Sequence, residues 1–116
     1  MSNTADSFLA SRLPIVGLAA YSIQAPAGVL ASQCLSKSIF PTTAAHMLNA
    51  LVQSGRSLLP AGQAPAQYCW TFEFVKVYVA ARPDGHCLAL MVENNPSAQW
   101  LRINETLQAF VELPEV

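Results

Sequence analysis

Residues 15–35 read IVGLAAYSIQAPAGVLASQCL, and the reading of the fold starts from them. Ile15 to Gln24 is apolar with β-branched and aromatic members, and Gly28 to Leu35 repeats that character. Between them, Ala25-Pro26-Ala27-Gly28 is a turn with proline at its second position. Two extended runs joined this tightly make an antiparallel hairpin. In the first run Val16, Leu18 and Ala20 fall on one side and Ile15, Ala19, Tyr21 and Ile23 on the other. The hairpin is therefore apolar on both parities, and both faces of its sheet require cover.

Working outward, Phe8, Leu9 and Leu13 keep helical spacing over residues 3–13 until Pro14 stops the pattern. Downstream, Pro41-Thr42-Thr43 opens a second helix with Thr42 or Thr43 as its cap. Ala44, Met47, Leu48, Leu51, Val52, Gly55 and Leu58 follow at spacings of three and four, and Pro60-Ala61-Gly62 ends the run. The loop from Gly62 to Ala66 is too short and too uncharged to link domains, so residues 1–116 read as a single domain. Gln67 to Pro83 then runs without a turn residue, with Tyr68, Trp70, Phe72 and Phe74 on one parity and Cys69, Thr71, Val75, Val77 and Val79 on the other. This reads as one long or bent strand, or two joined at a bulge near Val75-Lys76. Asp84-Gly85 signals a hairpin whose return strand is His86 to Glu93. Asn95-Pro96 is expected to cap a last helix with Trp100, Leu101, Leu107 and Val111 on its apolar stripe, and Pro114 follows its end. The order predicts an α+β sandwich, an antiparallel sheet of about four to five strands with helices on its faces.

Charge narrows the function. The 116 residues carry six Lys+Arg against seven Asp+Glu, 11% of the chain where about a quarter is usual. A net charge of -1 supplies no basic field, so a nucleic-acid partner is not expected. The 53% apolar content excludes a disordered tail. Leu13 to Ile23 is interrupted by Pro14, Gly17 and Ser22 and is too short to span a bilayer, so no membrane partner is expected. Met1 to Asp6 has no positive residue before an apolar block, which does not read as a secretory signal. Cys34, Cys69 and Cys87 show no C-x-x-C spacing and read as reduced, buried thiols of a cytoplasmic protein. So few charges leave a small domain short of cover, and an apolar face is expected to meet another chain, first of all a second copy. The aromatic row Tyr68-Trp70-Phe72-Phe74 suits either such an interface or the core.

No catalytic or metal constellation emerges. His46 has no histidine or acid at i+4, so it offers no zinc face. Cys69 or Cys87 near His86 could pair as nucleophile and base, although strand cysteines usually pack. Glu93, Glu105 and Glu112 form no cluster that spacing can show, and neither glycine-rich phosphate motif is present. Arg56, Arg82 and Arg102 are expected on the surface, as solubilising charges first and as contacts for an acidic partner second.

The run Val16-Gly17-Leu18-Ala19-Ala20-Tyr21-Ser22-Ile23, followed by Gly28-Val29-Leu30-Ala31-Ser32, resembles the first hairpin of the roadblock, dynein light chain and longin-related family. That family's pattern is a glycine-containing apolar strand, a turn closing on glycine and a V-L-A-S-like return, and the order of elements fits over about residues 5 to 113. Gln24-Ala25-Pro26-Ala27 stands where the family usually has an acidic residue ahead of the turn. The resemblance implies a protein without catalysis or a cofactor of its own. It implies a homodimer or heterodimer formed by the helix after the first hairpin and the strand after that helix, serving as a regulator or scaffold for a small Ras-like GTPase. On this chain those elements are Thr43 to Leu58 and Tyr68 to Val79, with Met47, Leu51, Trp70, Phe72 and Phe74 as candidate dimer residues and Thr71 and Val75 on the opposite parity. The alternative is a small-molecule-sensing, profilin-like domain with an apolar pocket between sheet and helix.

Overall fold

The computed structural model describes residues 4–58 and 66–114. Eight elements follow one another: α1 (Thr4–Ala10), β1 (Leu18–Ala25), β2 (Gly28–Cys34), α2 (Pro41–Leu58), β3 (Ala66–Thr71), β4 (Val75–Ala81), β5 (Cys87–Glu93) and α3 (Trp100–Glu112). The five strands form one antiparallel sheet in the order β2-β1-β5-β4-β3, the α+β architecture expected. The sheet is two hairpins with a strand inserted between them. β5 pairs Gln24 with Cys87 on one side and Ala81 with Cys87 on the other.

Strand parity divides the core. On one face Ile23, Ala80, Leu88, Leu90 and Val92 meet Phe8 and Leu9 of α1 and Ile103, Leu107 and Phe110 of α3. On the other, Ala20, Val77, Val79, Ala89 and Met91 meet Ala44, Leu48 and Val52 of α2. The expected cover on both faces is found over β1, β4 and β5. It fails over β2, which lies at the sheet margin with Val29 and Leu30 exposed.

Three differences from the sequence reading concern the β3–β4 turn and the starts of α2 and α3. The turnless run from Gln67 divides at Phe72-Glu73-Phe74, a sharp reversal that pairs Thr71 with Lys76, and is neither a continuous strand nor a bulge at Val75. The turn lacks glycine and proline because Asn94 holds it from outside. The Asn94 Nδ2 donates to the carbonyls of Phe72 at 2.9 Å and Glu73 at 3.2 Å, and its backbone N–H donates to Phe74 O at 2.9 Å. Next, α2 begins at Pro41, so Thr42 and Thr43 lie inside its first turn and proline takes the position whose N–H has no helical partner. Finally, α3 begins at Trp100. Asn95 caps a separate turn, its Oδ1 accepting Ser97 N–H at 2.9 Å, and Leu101 is exposed where a place on the apolar stripe was expected. The buried stripe of α3 is Ile103, Thr106, Leu107 and Phe110.

Gly17 sets the entry to α3. Its carbonyl accepts Glu93 N–H at 2.8 Å, and the neighbouring Val16 exchanges bonds with Gln99, the residue preceding α3. Its φ is +93°, and a Cβ placed there would stand 2.5 Å from the Cβ of Ala98. Both the left-handed backbone and the close approach require glycine. Gly17→Ala is expected to lower unfolding free energy by roughly 3 kcal/mol, read as a shift of the urea midpoint with an unchanged slope.

Candidate functional site

A concavity lies where the N-terminal half of α2 passes over the end of the sheet. It is a groove of about 570 Å³, within the range of small-ligand pockets. Ile39, Ala44 and Met47 form the helix side, Val75 and Met91 the sheet side, and Phe74 stands at the β3–β4 turn. Ser38, Thr43, Glu93 and Asn94 add polar atoms. β5 carries Met91 and Glu93 to the same face by strand alternation, and Asn94 is fixed by the bonds that close the turn.

The five predicted residues divide by environment. Met47 and Phe74 come together in the groove. Leu51 and Trp70 are half-buried against the α2-side core. Phe72 is exposed, and Phe74 is 75% exposed. Tyr68 shares the α2 side with Trp70, its ring lying beneath Gly55 and 5.9 Å from the indole. The sequence reading missed Ile39, Met91 and Asn94. The parity of β5 was a signal for Met91, whereas Asn94 carries none, because its partners are backbone carbonyls.

Two of the three arginines are fold ties and not surface charges. Arg56 Nη2 donates to Ala25 O at 2.8 Å and Gly85 O at 3.1 Å, fastening the C-terminal end of α2 to the β1–β2 and β4–β5 turns. Arg82 is buried, donates from Nη1 to Phe110 O at 2.7 Å and pairs with Asp84 Oδ2 at 3.0 Å. Asp84 Oδ1 also accepts the His86 backbone N–H and lies 3.1 Å from its Nδ1. Burial pushes the Asp84 carboxyl up, but the hydrogen bonds from Arg82 and His86 and the Arg82 charge outweigh it and hold the group at about 2. Arg102 is exposed, as expected.

The thiols differ among themselves. Cys69 is exposed, against the expectation that each cysteine is buried. It faces Tyr78 across the β3–β4 ladder, where burial raises the phenol and the thiol adds to the rise. Cys87 is buried, and burial raises its thiol despite Arg56 nearby, the opposite direction from an activated nucleophile. No group of three His, Cys, Asp or Glu converges for a metal among the described residues, and no described helix is long and apolar enough to cross a membrane.

A five-stranded antiparallel sheet with α2 on one face and α1 with α3 on the other is a roadblock-like fold. Among solved structures, Myxococcus xanthus MglB shares this overall fold. It is similar to the chain with a TM-score of 0.54 and 10% identity over 96% of this chain and 90% of that one. No protein-family model matches, and no curated protein matches.

Two outcomes follow. Asp84 has a folded pKa below its unfolded value, so its contribution to stability is present above about pH 4 and is lost as pH falls through about 2. Asp84→Asn is expected to flatten the acid limb of a thermal-stability profile between these values, by a small amount because the side chain is 40% exposed. Asn94→Ala is expected to lower stability by about 1–2 kcal/mol and to raise amide exchange at Phe72 and at the residues flanking the turn.

Proposed function

We propose that the chain is a non-enzymatic, dimeric regulatory or scaffolding protein that pairs through α2 and the outer edge of β3 and binds or modulates a small Ras-like GTPase. The observation that carries this reading is the chemistry of those two elements. The 18-residue α2 contains no Asp, Glu or Lys, and its single full charge, Arg56, is turned onto the hairpin carbonyls. β3 reads Ala66-Gln67-Tyr68-Cys69-Trp70-Thr71, pairs with β4 without a bulge and has no strand neighbour on its other side among the described residues. Edge strands are ordinarily protected by charge, proline or a bulge, and this one has none of them. Ala50 and Ser54 are exposed, one turn along α2 from Met47 and Leu51, and their small side chains permit close approach of a second helix. Phe72 and Phe74 supply exposed aromatic anchors at the end of the same edge. The roadblock-like fold and the resemblance of the first hairpin support a GTPase as the partner, and the three free cysteines suit a cytoplasmic setting.

A second reading rests on the groove itself. An apolar cavity between α2 and the sheet is what a small-molecule-sensing domain would use. It would be favoured by a ligand that raises thermal stability of the wild type and fails to do so when Met91→Trp fills the cavity.

Light scattering across a concentration range is expected to give a mass near twice 12.5 kDa. Ala50→Arg and Phe74→Asp are at exposed positions and are expected to leave the fold intact while weakening dimerisation by tenfold or more. Trp70→Asp, which places a charge against the core, is expected to lose folding. A monomeric wild type, or two folded variants that remain dimeric, would remove this interface. The partner is tested with purified Ras-like GTPases loaded with GDP or a non-hydrolysable GTP analogue. Complex formation that depends on the nucleotide supports the reading, and none with either form removes it.

A further inference from the structure

Arg12 and Arg102 meet in a recess that nothing in the dimer reading uses. Arg102 donates from Nη2 at 2.6 Å and from Nε at 3.2 Å to the carbonyl oxygen of Arg12, which fixes its guanidinium beside the end of α1. The Arg12 guanidinium carbon lies 4.6 Å from the centre of the Phe8 ring, and its Nε is buried without a hydrogen-bond partner. The two arginines line, with Ser11, Glu105 and Thr106, a polar recess of about 180 Å³ between α1 and α3.

The recess offers the donors of two guanidinium groups against a single carboxylate, Glu105. Ser11 Oγ donates to Phe8 O at 2.9 Å and Thr106 Oγ1 to Arg102 O at 2.7 Å, so the free donors are guanidinium N–H groups. Neither arginine forms an ion pair among the described residues, although Glu105 lines the same space. Two like charges lining one recess, one of them on a guanidinium whose Nε has no hydrogen-bond partner, cost free energy that an anion among them would relieve. Arg102 spends Nε and an Nη2 hydrogen on the Arg12 carbonyl, so the donors left to an anion are single N–H groups from two side chains, which the divergent oxygens of a tetrahedral oxyanion meet better than a planar carboxylate does. The volume, about six waters' worth, admits a phosphoryl group. We propose that this recess binds a phosphate dianion, free or as a small monoester.

The test is a titration of the ¹⁵N-labelled full chain with sodium phosphate and, separately, glycerol 3-phosphate, against sodium chloride at equal ionic strength. Saturable shifts confined to residues 11–12 and 102–106 are expected with the phosphates and absent with chloride. Arg12→Gln keeps the carbonyl that anchors Arg102, and it and Arg102→Gln are each expected to weaken binding about tenfold. Glu105→Gln removes the opposing charge and is expected to tighten it. Response to phosphate alone assigns the free ion, and an equal or tighter response to the ester assigns a monoester. Shifts that chloride reproduces, no response to either phosphate, or unchanged binding in a folded Arg12→Gln variant would overturn the site.

Discussion

The burial of β5 on both faces is the constraint on which the rest of the molecule depends. Cys87 to Val92 are six consecutive buried residues, and both of the strand's edges are hydrogen-bonded, to β1 and to β4. A strand buried on both faces needs a helical layer on each, and the chain supplies α2 for the odd positions and α1 with α3 for the even ones. The two hairpins have no direct contact in the sheet, so β5 also carries their relative placement. The groove is a result of that placement, since α2, the β3–β4 turn and the end of β5 meet there.

With so few charged side chains, those present do structural work through the backbone. Arg56 and Arg82 both act at the end of the sheet where the hairpin turns abut. There Gly85, with φ of +90°, leaves room for Pro26, since a Cβ on it would stand 2.5 Å from Pro26 Cγ. Asn94 plays the neutral counterpart at the opposite end. It ties down a turn whose own residues offer no turn chemistry, so Phe72 and Phe74 are displayed on a fixed backbone. A partner that meets them then loses little chain entropy on binding.

Local patterns were legible in the sequence, and long-range polar ties were not. The first hairpin, the parity of β1 and β5, the stripe on α2 and the Asp84-Gly85 turn each follow from residues close together in the chain. The division between β3 and β4 was hidden because its stabilising group lies some twenty residues downstream, at Asn94. The start of α3 was displaced because Asn-Pro chemistry serves a short turn as well as a helix cap, and Asn95 serves the turn. Arg56 and Arg82 read as surface charges because carbonyl acceptors have no residue type. Met47 and Phe74 of the groove were named from spacing and from the resemblance, while Ile39 and Met91 entered only when separate segments converged.

The insertion of β5 between hairpins made earlier in the chain bears on how the protein is born. As the polypeptide leaves the ribosome, β1–β2 and β3–β4 both emerge before the strand that joins them. Until residues 87–93 are free, each hairpin carries an open inner edge and an apolar face without its full cover. The sheet therefore closes late, through contacts between residues as distant in the chain as Gln24 and Cys87, and the nascent chain is most exposed to wrong strand partners just before that closure.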